Sequence, residues 1–226
     1  MNVVVTGANR GIGLGFVNYY LARGAHVWAC YRSEKNNLEK IDSSNLKSIQ
    51  WDVVDEKNDN FIYQSEFPET INILINNAGI YGPKKAGQSL DSVTPGLILD
   101  LVDVNCLGPL RVVQQLKSRV IAAAGKIANV SSKMGSADDN TSGGCYAYRA
   151  SKACLINISK SMAIDLAPHN VRVISLHPGW VRTDMTDHNG LIDIEESVTG
   201  MANVIDNVDN YSPGDFISFD GKVIPY

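Results

Sequence analysis

Cysteine is scarce in this 226-residue chain, with only Cys30, Cys106, Cys145 and Cys154 and no C-x-x-C pair among them. That spacing argues against a disulfide framework or a cysteine-held zinc ion, and it fits a reducing compartment. The four histidines (His26, His169, His177 and His188) have no metal-ligand spacing, so no metal site is expected. No block of Lys or Arg occurs and the formal net charge is −4, so the electrostatic footprint of a nucleic-acid binder is missing. No apolar run reaches the roughly 20 residues that span a bilayer. Val3-Val4-Val5 follows the initial Met almost at once, leaving no charged leader ahead of a first strand. A cytoplasmic protein without a cleaved signal, bound to neither membrane nor nucleic acid, is the expectation. Hydrophobic residues make up 44%, enough for the core of one domain spanning 1–226.

The apolar segments alternate between strand and helix periods. Val3 to Thr6 reads as a strand and breaks into Gly7-Ala8-Asn9-Arg10-Gly11-Ile12-Gly13. A helical pattern follows from about Ile12 to Ala22, then a second strand from Ala25 to Tyr31. Strand, glycine turn, helix, strand is the opening unit of a dinucleotide-binding fold. Gly7 permits a tight turn, while Gly11 and Gly13 let backbone and helix approach a pyrophosphate. The spacing is G-x-x-x-G-x-G; its plain alternative is a merely tight turn between strand and helix.

The end of the second strand reports on the cofactor. An acidic residue there would favour NAD by binding the ribose 2′-hydroxyl. The residues are Cys30-Tyr31-Arg32-Ser33 instead. Arg32 and Arg10 are placed to meet a 2′-phosphate, so NADPH is expected in preference to NADH.

Further strands are expected at Leu46–Trp51, Ile71–Ile75, Lys126–Val130, Val171–Leu176 and Asp215–Phe219. Between them, residues 33–46 read as a loop with a short helix, and 55–70 as polar and irregular with one short helix. Leu101 to Ala124 reads as one long helix kinked at Gly108-Pro109. Asn105, just before that break, is either a helix-surface amide or an active-site group. Residues 133–144 read as a loop, 186–192 as a mobile loop, and Glu195–Asn207 as a helix. Together these predict an α/β fold: one doubly wound, Rossmann-type parallel sheet with helices on both faces. In such sheets ligands bind at the C-terminal strand edges. Gly7–Gly13, Asn76–Gly79, Ser131-Ser132 and Pro178–Thr183 all fall on that edge.

The helix expected from Tyr148 to about Ala167 places Tyr148 and Lys152 four residues apart, on one face. An ammonium beside a phenol favours the phenolate, so Lys152 is expected to lower the pKa of Tyr148. Tyr146 meets Ala150 at the same spacing and has no such partner. Alone, the pair also suits two solvated helix residues; its place after a strand ending in Ser132, opposite a nucleotide turn, gives it chemical meaning.

Taken together, these residues resemble the short-chain dehydrogenase/reductase family over nearly the whole chain. Thr6-Gly7-x-x-x-Gly11-Ile12-Gly13 matches its cofactor turn, and Asn76-Asn77-Ala78-Gly79 its second signature. Asn105, Ser132, Tyr148 and Lys152 match its catalytic tetrad. Pro178-Gly179 with Thr183 matches its nicotinamide-side loop, and Asp52-Val53 its adenine-contacting pair. The resemblance implies hydride transfer to a small-molecule carbonyl, with Tyr148 as proton donor and Lys152 also binding the nicotinamide ribose. It implies that Ser132, rather than Ser131 or Ser136, holds the carbonyl oxygen, and that Asn105 positions a water leading to Lys152. The implied cofactor contacts are Gly7, Asn9, Arg10, Gly11, Ile12, Gly13, Arg32, Asp52, Val53, Asn77, Ala78, Gly79, Tyr148, Lys152, Pro178, Gly179, Val181 and Thr183. A homodimer is implied too, through the helices carrying Asn105 and Tyr148. Asp139-Asn140-Thr141-Ser142-Gly143-Gly144 and the ending Phe219–Pro225 are similar to the sniffer carbonyl reductase and C-factor branch. C-factor-like members are tied to signalling, so a regulatory NAD(P)-binding protein with little turnover is the alternative. Tyr81, Met134, Trp180, Met185 and 186–192 are expected to wall an apolar substrate pocket.

Overall fold

A computed structural model describes residues 1–55 and 67–226; most of the irregular segment expected at 55–70 lies outside the described residues. Seven strands form one sheet: β1 (Asn2–Thr6), β2 (His26–Tyr31), β3 (Leu46–Gln50), β4 (Ile73–Asn76), β5 (Lys126–Val130), β6 (Arg172–His177) and β7 (Phe216–Ser218). Their order is β3-β2-β1-β4-β5-β6-β7, with every pair parallel. The α-helices of the described residues are α1 (Gly11–Leu21), α2 (Pro95–Val102), α3 (Gly108–Ala122), α4 (Tyr146–Leu166) and α5 (Ile194–Asp206).

Alternation along β1 shows why both faces are covered. Val3 and Val5 pack with Phe16 and Tyr20 of α1 and with Met201 and Ile205 of α5. Val4, between them, packs on the opposite face with Val112 and Leu116 of α3 and Met162 of α4. All three valines are fully buried, as expected of a parallel strand with helices on both sides.

The chain runs outward from β1 to β3 and then returns to β4 on the other side of β1. That reversal opens a crevice at the C-terminal ends of β1 and β4. In-register pairing of Val5 with Ile75 brings the Gly7 turn beside Asn76–Gly79.

The expected long helix with a proline kink is two helices joined by a single π-helical turn, Asp103–Leu107. Pro109 has no N–H to give the Asn105 carbonyl four residues back, and its ring would collide with it. The backbone widens there to i→i+5 pairing and resumes as α3, with Pro109 in its first turn. Residues 184–192, expected in part as a mobile loop, are closely tied. Thr186 Oγ1 donates to the Val181 carbonyl at 2.6 Å, and the Leu191 N–H donates to the Trp180 carbonyl at 2.7 Å.

Candidate active site

The crevice is a cleft of about 700 Å³ lined by Gly7, Asn9, Arg10, Gly11 and Ile12 from the first turn. Arg32, Asp52, Val53, Asn77, Ala78, Gly79 and Thr183 of the expected cofactor contacts also line it. Gly13, Pro178, Gly179, Val181, Tyr148 and Lys152 do not. Gly13 sits beneath the turn, where an added Cβ would lie 2.2 Å from the Gly7 carbonyl oxygen, so the helix can pack there only without a side chain. Gly7 has φ +62°, and its own Cβ would meet the Ala78 Cα at 2.8 Å. Val181 is buried and pairs with Ile192, and the Pro178 carbonyl accepts from Ser197 Oγ at 2.5 Å. These residues shape the loop behind Thr183.

The first turn is built for an anion. Helix α1 has no side-chain cap and no acidic residue in its first turn, so no side chain competes for its leading N–H groups. Gly11 and Ile12 face the cleft. Thr6 and Asn77 hold the turn from below: Thr6 Oγ1 accepts the Asn77 and Ala78 N–H groups, and Asn77 Nδ2 reaches the Thr6 and Gly7 carbonyls, both at 3.1 Å. Arg10 is ion-paired with Asp184 across the cleft at 3.0 Å, both side chains being well exposed. Asn9 is tied to the Glu34 carbonyl at 2.8 Å. Sequence reasoning passed over Asp184, Lys84, Val104 and Ser33, which also line the cleft. Lys84 pairs with Asp187, a second bridge to the same loop. Nothing in one-dimensional spacing connects these residues.

Beyond Gly79 lies a buried polar group. An added Cβ at Gly79 would be 3.0 Å from Asn105 Oδ1 and 3.6 Å from Lys152 Nζ. Lys152 is 5% exposed and donates to the Val130 carbonyl at 2.9 Å. Its ammonium stands 5.8 Å from the centre of the Tyr148 ring. Tyr148 is 7% exposed whereas Tyr146 is 41% exposed, which separates the two tyrosines. Ser131 Oγ faces the helix backbone and donates to the Lys152 carbonyl at 3.2 Å. Ser132 neighbours the Tyr148 phenol and favours its ionised form, and its Oγ accepts the Met134 N–H at 3.2 Å. Ser136 is buried and donates to the Pro225 carbonyl, away from the cleft lining. Helix α4 is held to β5 by Asn129 Nδ2, which donates to Ser159 Oγ at 2.8 Å.

Asn105 is fully buried, not a surface amide. Its side chain is spent on structure: Oδ1 accepts the Ile80 N–H, and Nδ2 donates to the Ile80 carbonyl and to Ser151 Oγ, all within 2.9 Å. Pro109, four residues on, offers no N–H to its backbone carbonyl.

Electrostatics correct one expectation. Burial pushes the Tyr148 phenol up to about 12, and the opposing pull comes from Ser132, not Lys152. Burial pushes Lys152 down to about 8, partly offset by Cys106. Desolvation of each group outweighs their mutual effect at this separation. His177, at the end of β6, is pushed down to about 4 by burial first and by the charge of Lys133. Neutral near pH 7, its Nδ1 accepts the Lys133 N–H at 3.3 Å and supports the turn after Ser132.

Residues 1–191 match the short chain dehydrogenase family. The chain belongs to that family. Among curated relatives, the C-signal protein of Myxococcus xanthus is 40% identical over 157 residues, covering 69% of this chain and 93% of that protein. Among solved structures, the carbonyl reductase Sniffer of D. melanogaster superposes with a TM-score of 0.93 at 30% identity, covering 100% and 99% of the two chains. The NADPH-bound carbonyl reductase from chicken fatty liver gives 0.88 at 31% identity, covering 100% and 98%. As a family member the protein is an oxidoreductase. No helix of the described residues is long and apolar enough to cross a membrane, and they hold no cluster of three or more potential metal ligands.

Proposed function

We propose that the protein is an NADPH-dependent reductase of aldehydes, ketones or quinones. The observation that carries this reading is the grouping of half-buried Ser132 with buried Tyr148 and Lys152, the ammonium of Lys152 lying beside Gly79 of the cleft lining. When bound, the reduced nicotinamide supplies the hydride. Tyr148 holds the proton for the carbonyl oxygen, and burial keeps that proton on the phenol until it is needed. Ser132 hydrogen-bonds the same oxygen as charge develops on it. Lys152 binds the cofactor's ribose and places a positive charge beside the phenol. The Asn105 backbone carbonyl holds a water through which protons return. Gly11 and Ile12 N–H groups receive the pyrophosphate. Asp52 and Val53 meet the adenine, and Arg10 and Arg32 the 2′-phosphate. The nicotinamide end rests on Asn77, Ala78 and Gly79 and on the loop of Pro178, Gly179, Val181 and Thr183.

The test is loss of NADPH absorbance with a panel of aldehydes, quinones and diketones, with NADH in parallel. Similarity to C-signal favours a second reading, a regulatory protein that binds NADP and turns over little. Tight NADPH binding with no consumption by any of the panel would establish that second reading and end the first.

Cofactor preference has its own check. Arg32→Ala is expected to raise the KM for NADPH about ten- to a hundredfold while leaving that for NADH within about twofold, since a charge-assisted contact contributes about 1.5–3 kcal/mol. Equal effects on both would remove the 2′-phosphate assignment. Asp184→Asn frees Arg10 from its partner. Exposed ion pairs contribute about 0–1 kcal/mol, so NADPH should bind up to about fivefold more tightly, read by fluorescence titration.

A further inference from the structure

The helix that carries Tyr148 begins without a cap of its own. Gly143, Gly144 and Cys145 enter it with φ of 57°, 64° and 52°, three left-handed residues in succession. Cys145, at the capping position, makes no side-chain cap hydrogen bond. The N–H groups of a helix's first turn have no partner within the helix. Tyr146 opens the turn at 41% exposure, but Ala147 at 0% and Tyr148 at 7% are buried.

The missing acceptor comes from 60 residues away. Gln88 Oε1 accepts the Tyr148 N–H at 2.9 Å. Gln88 is fully buried, and its Nε2 donates to the Tyr81 carbonyl at 2.8 Å and the Pro83 carbonyl at 2.7 Å. Both amide hydrogens are thus committed, and so is one lone pair. The two carbonyls belong to the loop that continues from Gly79 along the cleft. In that loop the Tyr81 ring lies 4.7 Å from the Tyr148 ring, centre to centre, and its hydroxyl is 3.1 Å from Cys145 Sγ. One amide therefore joins the backbone of Tyr148 to the wall that faces it.

We propose that Gln88 is a positioning residue for Tyr148, fixing the phenol relative to the Tyr81 wall and so to the carbonyl it protonates. This rests on the reading of Tyr148 as proton donor. A misplacement of about 1 Å at a reacting group costs about a hundredfold in rate.

Gln88→Met keeps the length of the side chain and loses all three bonds. Its kcat at saturating NADPH and carbonyl should fall about ten- to a hundredfold, with NADPH affinity by fluorescence within about twofold of wild type. Gln88→Glu carries the sharper signature. Its ionised carboxylate still accepts from Tyr148 but brings no hydrogen to the two carbonyls, and burial raises its pKa. Protonation restores one of those hydrogens, so kcat should go on rising as pH falls below about 8, where wild type and Gln88→Met are level. A residue serving only to fill space would lower the melting temperature and leave kcat per folded molecule and its pH profile unchanged. That result in Gln88→Met, or no acid-side gain in Gln88→Glu, overturns the proposal; the second readout suffices if Gln88→Met does not fold. Tyr148→Phe is run beside them. If it retains activity, the proton-donor reading fails and takes this proposal with it; if it is inactive while the Gln88 variants turn over normally, only the proposal fails.

Discussion

Tyr148→Phe should lose about 10²–10⁴ of its turnover in carbonyl reduction, the usual contribution of a positioned general acid. The substitution removes one oxygen from a ring that is 7% exposed and packed beside Tyr81 and Leu101. The ring's volume is otherwise kept, so the fold and the cleft, which Tyr148 does not line, are left in place. NADPH should therefore bind to Tyr148→Phe within a few-fold of wild type. Stopped assays of carbonyl reduction together with fluorescence titration separate the two quantities. Full activity in this variant would sink the mechanism. Loss of binding and turnover together would mean that the ring organises the cleft rather than carrying the proton.

Lys152 gives the second large effect, and its sign is worked from burial. Its ammonium titrates near 8 in the fold against about 10.4 in an unfolded chain. The folded state thus disfavours the charge, and between those two values the unfolded chain binds more protons. Stability then rises with pH across about 8 to 10.4, and below 8 the full penalty, of the order of a few kcal/mol, is present. Lys152→Met removes the charge and the penalty. Its stability relative to wild type should be most favourable at pH 7 and should decline as pH is raised to about 10.4, in denaturant titrations at each pH. The loss of the hydrogen bond to Val130 offsets this equally at every pH. Activity runs the other way. The protonated phenol is available throughout the neutral range because Tyr148 sits near 12, so the alkaline limb belongs to Lys152. Reductive kcat/KM should be level below about pH 8 and fall above it, and Lys152→Met should be nearly inactive at all pH values. A flat profile from pH 6 to 10 would show that the charge of Lys152 is not required.

Parts of this site were legible in one dimension because they are local. Gly7, Gly11 and Gly13 follow a strand and open a helix, and that local order is sufficient to specify an anion-binding turn. Tyr148 and Lys152 are four residues apart on a helix, so their common face follows from 3.6 residues per turn. The parallel sheet was legible from apolar runs such as Val3–Val5 and Ile73–Ile75, which have no polar alternation and so demand cover on both faces.

Other parts were not legible because they depend on what lies opposite. Pro109 announced a broken helix, but whether the chain kinks or widens is set by packing around Asn105, Cys106 and Gly108, all buried. Asp184, Lys84 and Asp187 bridge loops that are distant in sequence. Gln88 sits in a short turn with no periodicity, and its three partners are specified only by the meeting of two loops and a helix. The phenol offers the sharpest contrast. Spacing alone put an ammonium one turn from Tyr148; the motifs around that pair pointed to the family, and the alternation of strands and helices to the doubly wound sheet. The protonation states of that pair were decided by tertiary burial. Removing both groups from water shifts each of them more than either shifts the other, and no spacing in a sequence reports how much water a side chain has lost.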